Sequence, residues 1–120
     1  MSRDPRVYLQ DILDAIDAIR RYTRGLDREG FRQDEMRQDA VIRNLEIIAE
    51  AVKQVPEQLK TTSHDVEWRK IAGLRDVLIH QYFGLDAELL WDVVEKKLSG
   101  LAESVEGILR ALDGERPPKP

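Results

Sequence analysis

Apolar residues recur three and four positions apart through most of the chain, the spacing that lines them along one side of an α-helix. Tyr8, Ile12, Ala15, Ile19 and Tyr22 trace such a stripe, widened by Leu9, Leu13 and Ile16. Asp4 before Pro5 starts it: the carboxylate can accept from free backbone N–H groups, and proline at the first helical position gives up no bond. Gly25 marks the stop, and residues 25–33, with two glycines and several charges, read as a loop. A second helix is predicted from about Asp34 to Val55. Val41, Leu45, Ile48, Val52 and Val55 hold one face, Ile42, Ile47 and Ala51 broaden it, and Pro56 ends it. So broad a face calls for more than one partner helix.

The polar run Lys60, Thr61, Thr62, Ser63, His64, Asp65 reads as a loop supplying cap residues. A third helix is predicted from about Asp65 to Phe83 with Trp68, Ile71, Ala72, Leu78, Ile79 and Tyr82 on it, and Gly84 placed to end it. Asp86 then caps a fourth, with Glu88 complementing its dipole, and Leu90, Val94, Leu98, Leu101, Val105, Ile108 and Leu112 continue it without a break. The pattern predicts an all-α, up-and-down bundle of four main helices over residues 1–113, with a flexible C-terminal tail at 114–120.

Composition narrows the function classes. A chain of 120 residues suits one core. With 42% apolar residues it is too apolar for disorder, and 7 glycines and 5 prolines are too few turn residues for a many-stranded β fold. Nineteen basic against 23 acidic residues leave a net charge of -4, so any binding to nucleic acid has to be local. The absence of cysteine excludes disulfides, thiolate zinc sites, iron–sulfur clusters and a Cys nucleophile. The N-terminus is charged and has no uninterrupted apolar stretch, so neither a secretory signal nor a membrane span is expected, and the protein is expected in the cytoplasm.

Glycine-rich phosphate loops, G-x-S-x-G and H-E-x-x-H are absent, and His64 and His80 stand too far apart to define a metal site, so no metal and no cofactor is expected. Polar chemistry concentrates instead in residues 68–86, WRKIAGLRDVLIHQYFGLD, where Arg75, Asp76, His80 and Tyr82 interrupt an apolar helix. At ~100° per residue Asp76 and His80 lie one turn apart on one face, where the carboxylate can fix the imidazole tautomer. Arg75 and His80 are separated by ~140° and about 7.5 Å along the axis, so one straight helix does not aim both at one phosphate. Two copies of the helix facing each other across a two-fold axis would, which favours a composite dimer site.

These residue types suit phosphodiester cleavage without a metal. A histidine with an ordinary pKa of about 6.5 can take a proton from a ribose 2′-hydroxyl or give one to the leaving 5′-oxygen, and arginine neutralises charge on the phosphorane. Tyr82 can hold a phosphate or stack on a base, and Asp76 orients His80. The plainer reading makes His80 a structural histidine, Arg75 the partner of an acid on a neighbouring helix, and Trp68 and Tyr82 core or interface aromatics. The cluster Arg20, Arg21 and Arg24 can guide RNA, but positive charge there also complements the dipole of the first helix.

The run Arg75-Asp76-Val77-Leu78-Ile79-His80-Gln81-Tyr82 resembles the R-x4-H-x-Y signature of HepT-like toxins, the HEPN-domain partners of minimal nucleotidyltransferases in toxin–antitoxin pairs. YLQDILDAIDAIRRYTRG, DAVIRNLEIIAEAVKQVP, the Trp68 to Leu74 lead-in and Phe83-Gly84-Leu85-Asp86 extend the resemblance over about residues 5–112. It implies a HEPN-like helical fold that forms a homodimer through the signature helix, within a larger hetero-oligomer when the antitoxin binds. It further implies a metal-independent endoribonuclease acting on tRNA or mRNA, with Arg75 and His80 catalytic and Asp76 and Tyr82 supporting. Tyr82 is the position that the cognate nucleotidyltransferase antitoxin modifies by AMPylation in the family. Asp76 departs from the Asn often found there, and Ala49 stands where relatives frequently have Gly. The competing expectation is a non-catalytic helical module that binds a nucleotide or a partner protein.

Overall fold

Asp4 opens the first helix as its spacing to Pro5 predicts, its side chain accepting from the Arg6 N–H at 3.0 Å. The computed structural model describes residues 4–63, 65–80 and 87–114, and for residues 75 and 77–80 the backbone alone. Helix α1 spans Pro5–Thr23 and buries Leu9, Ile12, Ala15, Ile16, Ala18 and Ile19. Gly25, at φ 80°, takes the left-handed turn beyond its end, which a side chain would disfavour. Tyr22, expected on the apolar stripe, is exposed at 39%.

The expected loop at 25–33 contains a short helix, α2 (Arg28–Arg32), whose start Asp27 caps by accepting from the Gly30 N–H at 2.7 Å. A single apolar residue, Phe31, gives α2 its hold: it is fully buried, with its ring 5.3 Å from that of Trp91. One apolar position produces no periodicity, so only the cap residue marked this helix in the sequence.

Helix α3 (Glu35–Gln54) matches the predicted second helix to within a residue at each end. Asp34 caps it, and Val55, ahead of Pro56, has the extended backbone that proline imposes on its predecessor. A one-turn helix, α4 (Glu57–Lys60), follows Pro56 and reaches the first residue of the expected loop, Lys60. Helix α5 (Trp68–His80) starts three residues later than the expected Asp65, and residues 81–83 of the predicted helix lie outside the described residues, as do the stop at Gly84 and the cap at Asp86. Trp68 fixes the start of α5: its indole N–H donates to the carbonyls of Lys60 and Ser63, each at 3.2 Å, and the ring is buried.

The fourth predicted helix is divided. Helix α6 (Ala87–Asp92) passes through a π-helical turn, Val93–Lys97, into α7 (Leu98–Gly114). On a regular helix Leu98 would stand about 80° out of line with Leu90. The wider turn advances less per residue and brings both to the core, where they are 3% and 2% exposed. Helix α7 runs to Gly114, and residues 115–120 of the expected flexible tail lie outside the described residues.

No strand occurs among the described residues. The fold is all-α, with four main helical rods formed by α1, α3, α5 and α6–α7, as the sequence predicts. Helix α1 packs on α3 and α7, and α3 also receives α5, which accounts for its broad apolar face. Arg6 ties the start of α1 to the end of α7 through Asp113 at 3.3 Å and the Leu112 carbonyl at 3.2 Å. No helix among the described residues is long and apolar enough to cross a membrane.

Candidate functional site on helix α5

The register of α5 decides which of the predicted site residues can meet. The helix is continuous from Trp68 to His80, so Arg75, Asp76 and His80 share one rigid element. Asp76 and His80 stand one turn apart along one line, while Arg75 is turned ~140° away from His80. Asp76 is exposed; the side chains of Arg75 and His80 lie outside the described residues, and so does Tyr82.

The rest of α5 shows two faces. Trp68 is buried and Ile71, Ala72 and Leu74 are half-buried, packed against the core. Arg69, Lys70 and Asp76 are exposed. By register Arg69, Gly73, Asp76 and His80 form one stripe spread over about 60°. A side-chain carbon added at Gly73 would meet nothing within 4 Å, so this part of the stripe is open.

Among the described residues two cavities of about 430 Å³ flank the first half of α5. The first is walled by Leu45 and Ile48 of α3, Ile71 and Leu74 of α5, and Leu98 and Leu101 of α7, with Lys70, Lys96 and Lys97 at its edge. The second lies between α4 and the start of α5, among Lys60, Arg69, Lys70, Glu57 and Glu67. Glu67 and Lys70 pair at 2.6 Å; that hydrogen bond and the attraction behind it hold the Glu67 carboxyl below its ordinary pKa and the Lys70 ammonium above its own. No group of three or more potential metal-ligating side chains forms among the described residues.

Of the arginine cluster at the end of α1, Arg21 has local partners. Arg21 pairs with Asp17 at 3.2 Å and lies 5.9 Å from the Tyr22 ring centre. With Arg20 it places positive charge in the last turn, which is the dipole role anticipated for it. Lys60 and Arg69 went unnoticed as functional candidates in the sequence. The only signal was two consecutive cations, Arg69 and Lys70, directly after a tryptophan at the start of a helix.

A family model described as ribonuclease HepT-like matches residues 12–108, which contain the whole of α5. The chain belongs to the ribonuclease HepT-like family. It is therefore a ribonuclease by family. It is 42% identical over 106 residues to the probable ribonuclease HepT of Thermococcus cleftensis, covering 88% of this chain and 96% of that protein. It is 40% identical over 114 residues to "Putative RNase MJ0127" of Methanocaldococcus jannaschii, covering 95% and 94%. A second protein of that organism, "Gamma-glutamylcyclotransferase and putative RNase MJ0434", is 39% identical over 113 residues, which are 94% of this chain but 51% of that protein. The chain thus spans about half of this last relative and nearly all of the other two. No solved structure gives a significant match.

Proposed function

We propose that the chain is a metal-independent endoribonuclease whose active site is completed by a second copy, with His80 as general acid/base and Arg75 as phosphate stabiliser. The observation that carries this reading is the unbroken helix from Trp68 to His80 in a chain of the HepT-like family. It holds Asp76 in line with His80 while keeping Arg75 on another side, so convergence on one phosphate needs a second helix. The half-buried Ile71, Ala72 and Leu74 supply apolar surface that such a neighbour would cover.

In this mechanism a neutral His80 removes the proton from a ribose 2′-hydroxyl, and the 2′-oxygen attacks the adjacent phosphorus. The P–O5′ bond breaks, and a protonated His80 gives its proton to the departing 5′-oxygen. Arg75 neutralises the charge that builds on the equatorial oxygens, and Asp76 keeps the imidazole of its own helix oriented. The RNA is tRNA or mRNA in the cytoplasm, and the chain is the toxin of a toxin–antitoxin pair. A minimal nucleotidyltransferase antitoxin restrains it by transferring AMP to Tyr82, which sets a bulky negative group beside the cleft and repels the RNA backbone.

The test is cleavage of total RNA and tRNA in excess EDTA by wild type, His80→Ala and Arg75→Ala. Metal-independent cleavage that falls by roughly 10²–10⁴ without His80 is the expected result. Equal trace activity in folded, dimeric wild type and His80→Ala would replace the nuclease reading with that of a binding module. Mass spectrometry of the chain produced together with the nucleotidyltransferase should show an AMP-sized addition on Tyr82.

A further inference from the structure

The second cavity beside α5 holds positive charge that the fold does not use. Lys60 is 8% exposed, and among the described residues its ammonium reaches only the solvent-exposed Glu57 carboxylate, at 3.4 Å. Lys70 is matched by Glu67. Arg69 has no hydrogen bond or ion pair among the described residues and stands exposed at the cavity edge. With Glu57 and Glu67 also lining the cavity, three cations face two carboxylates, and Arg69 is the charge left over. Local structure does not ask for it there, since α5 has no acidic residue in its first turn and the dipole disfavours cations at a helix start.

The position of Arg69 gives this charge a direction. Eleven residues separate it from His80, three turns of helix, which places the two within about 20° of each other around α5 and about 16 Å apart along it. Gly73 lies between them on the same stripe with open space above it. An extended strand lying along this stripe passes over bare backbone at Gly73 and keeps its phosphates within reach of both ends.

We propose that Arg69, backed by Lys60 and Lys70, is a phosphate-binding subsite for single-stranded RNA, holding the backbone a few nucleotides from the phosphate cleaved at His80. This rests on the ribonuclease reading and adds to it a substrate requirement: an unpaired strand long enough to span three turns of α5. Arg69 gives a fork of donors matched to phosphate oxygens, and the buried Lys60 ammonium adds a fixed positive field behind it. Because phosphate contacts carry no sequence information, the subsite positions RNA and leaves the choice of base to other parts of the cleft.

The experiment measures equilibrium binding of a fluorescent single-stranded RNA oligonucleotide to the full chain in a His80→Ala background, across a series of salt concentrations. Arg69→Gln should weaken binding about two- to fivefold at low salt, the range for an exposed charge pair. The slope of log affinity against log salt should become shallower by about 0.7, the value for one phosphate contact on a single strand. Arg69→Lys should restore the slope, and Arg110→Gln, which removes an equal charge from an exposed site on α7, should leave it unchanged. RNA binding by the parent chain with the same slope in Arg69→Gln overturns the subsite while leaving the ribonuclease reading intact. Failure of the parent chain to bind any RNA overturns both.

Discussion

Helices α1 and α3 bury six apolar side chains each, many with no exposure at all, whereas the apolar positions Ile71, Ala72 and Leu74 of α5 remain half-covered. The first pair form a wall whose every turn is committed to the core. The helix laid against it keeps an open polar stripe and lies between two cavities. The two regions differ in what they present: α1 and α3 turn an apolar face into the core, while α5 exposes Arg69, Lys70 and Asp76 to solvent.

This division predicts opposite signatures for changes in the two regions. His80→Ala should abolish most cleavage, by roughly 10²–10⁴, with no loss of helical signal in circular dichroism. Leu45→Ala or Phe31→Ala should do the reverse, lowering unfolding free energy by about 2–5 kcal/mol in urea titrations, with the residual folded protein still active. Leu74→Ala, at a half-buried site already bordered by a cavity, should cost about 1 kcal/mol. If it cost as much as Leu45→Ala, α5 would be part of the wall and the contrast would fail.

Smaller effects sharpen the comparison at the helix ends. Asp34 caps α3, and the Arg37 backbone N–H, followed by the Arg37 side chain, holds its carboxyl below the ordinary carboxylate pKa. A lowered pKa in the folded state means stability that is present above the ordinary value and is lost as pH falls through the folded one. Wild type should therefore melt above Asp34→Asn at neutral pH, and the gap should close as the pH falls below the ordinary carboxylate range. Gly107→Ala is the smallest change and the one stabilising substitution. A carbon added there meets nothing within 4 Å inside α7, and the melting temperature should rise by an amount equivalent to about 0.5–1 kcal/mol.

The sequence made the long elements readable because each rests on a repeated stripe and ends at a punctuating residue. Asp4-Pro5 and Gly25 bracket α1, and Pro56 stops α3 at its predicted end. Helix α2 escaped because one phenylalanine sets no period, and its capping aspartate is indistinguishable in sequence from a loop residue. The π-helical turn escaped for a different reason: Val93 and Val94 both fit a regular stripe, and only the demand that Leu90 and Leu98 reach one core reveals the extra residue between them. Of the candidate site, Arg75, Asp76 and His80 were legible as polar residues in an apolar helix. Arg69 was not, since beside Lys70 it reads as an ordinary solvated charge.

The sequence by itself determined that this chain is helical and where its long helices lie. Hydrophobic period and capping chemistry are local properties, and local spacing is what a sequence displays. The tertiary structure alone decided that Lys60 becomes a buried cation and that it shares a cavity with Arg69 and Lys70. It also decided that Trp68 anchors α5 by donating to two carbonyls several residues earlier in the chain. Those relations depend on how α4 folds back against the start of α5, and no periodicity along the chain encodes which carbonyl an indole will find or which charge will be left without a partner.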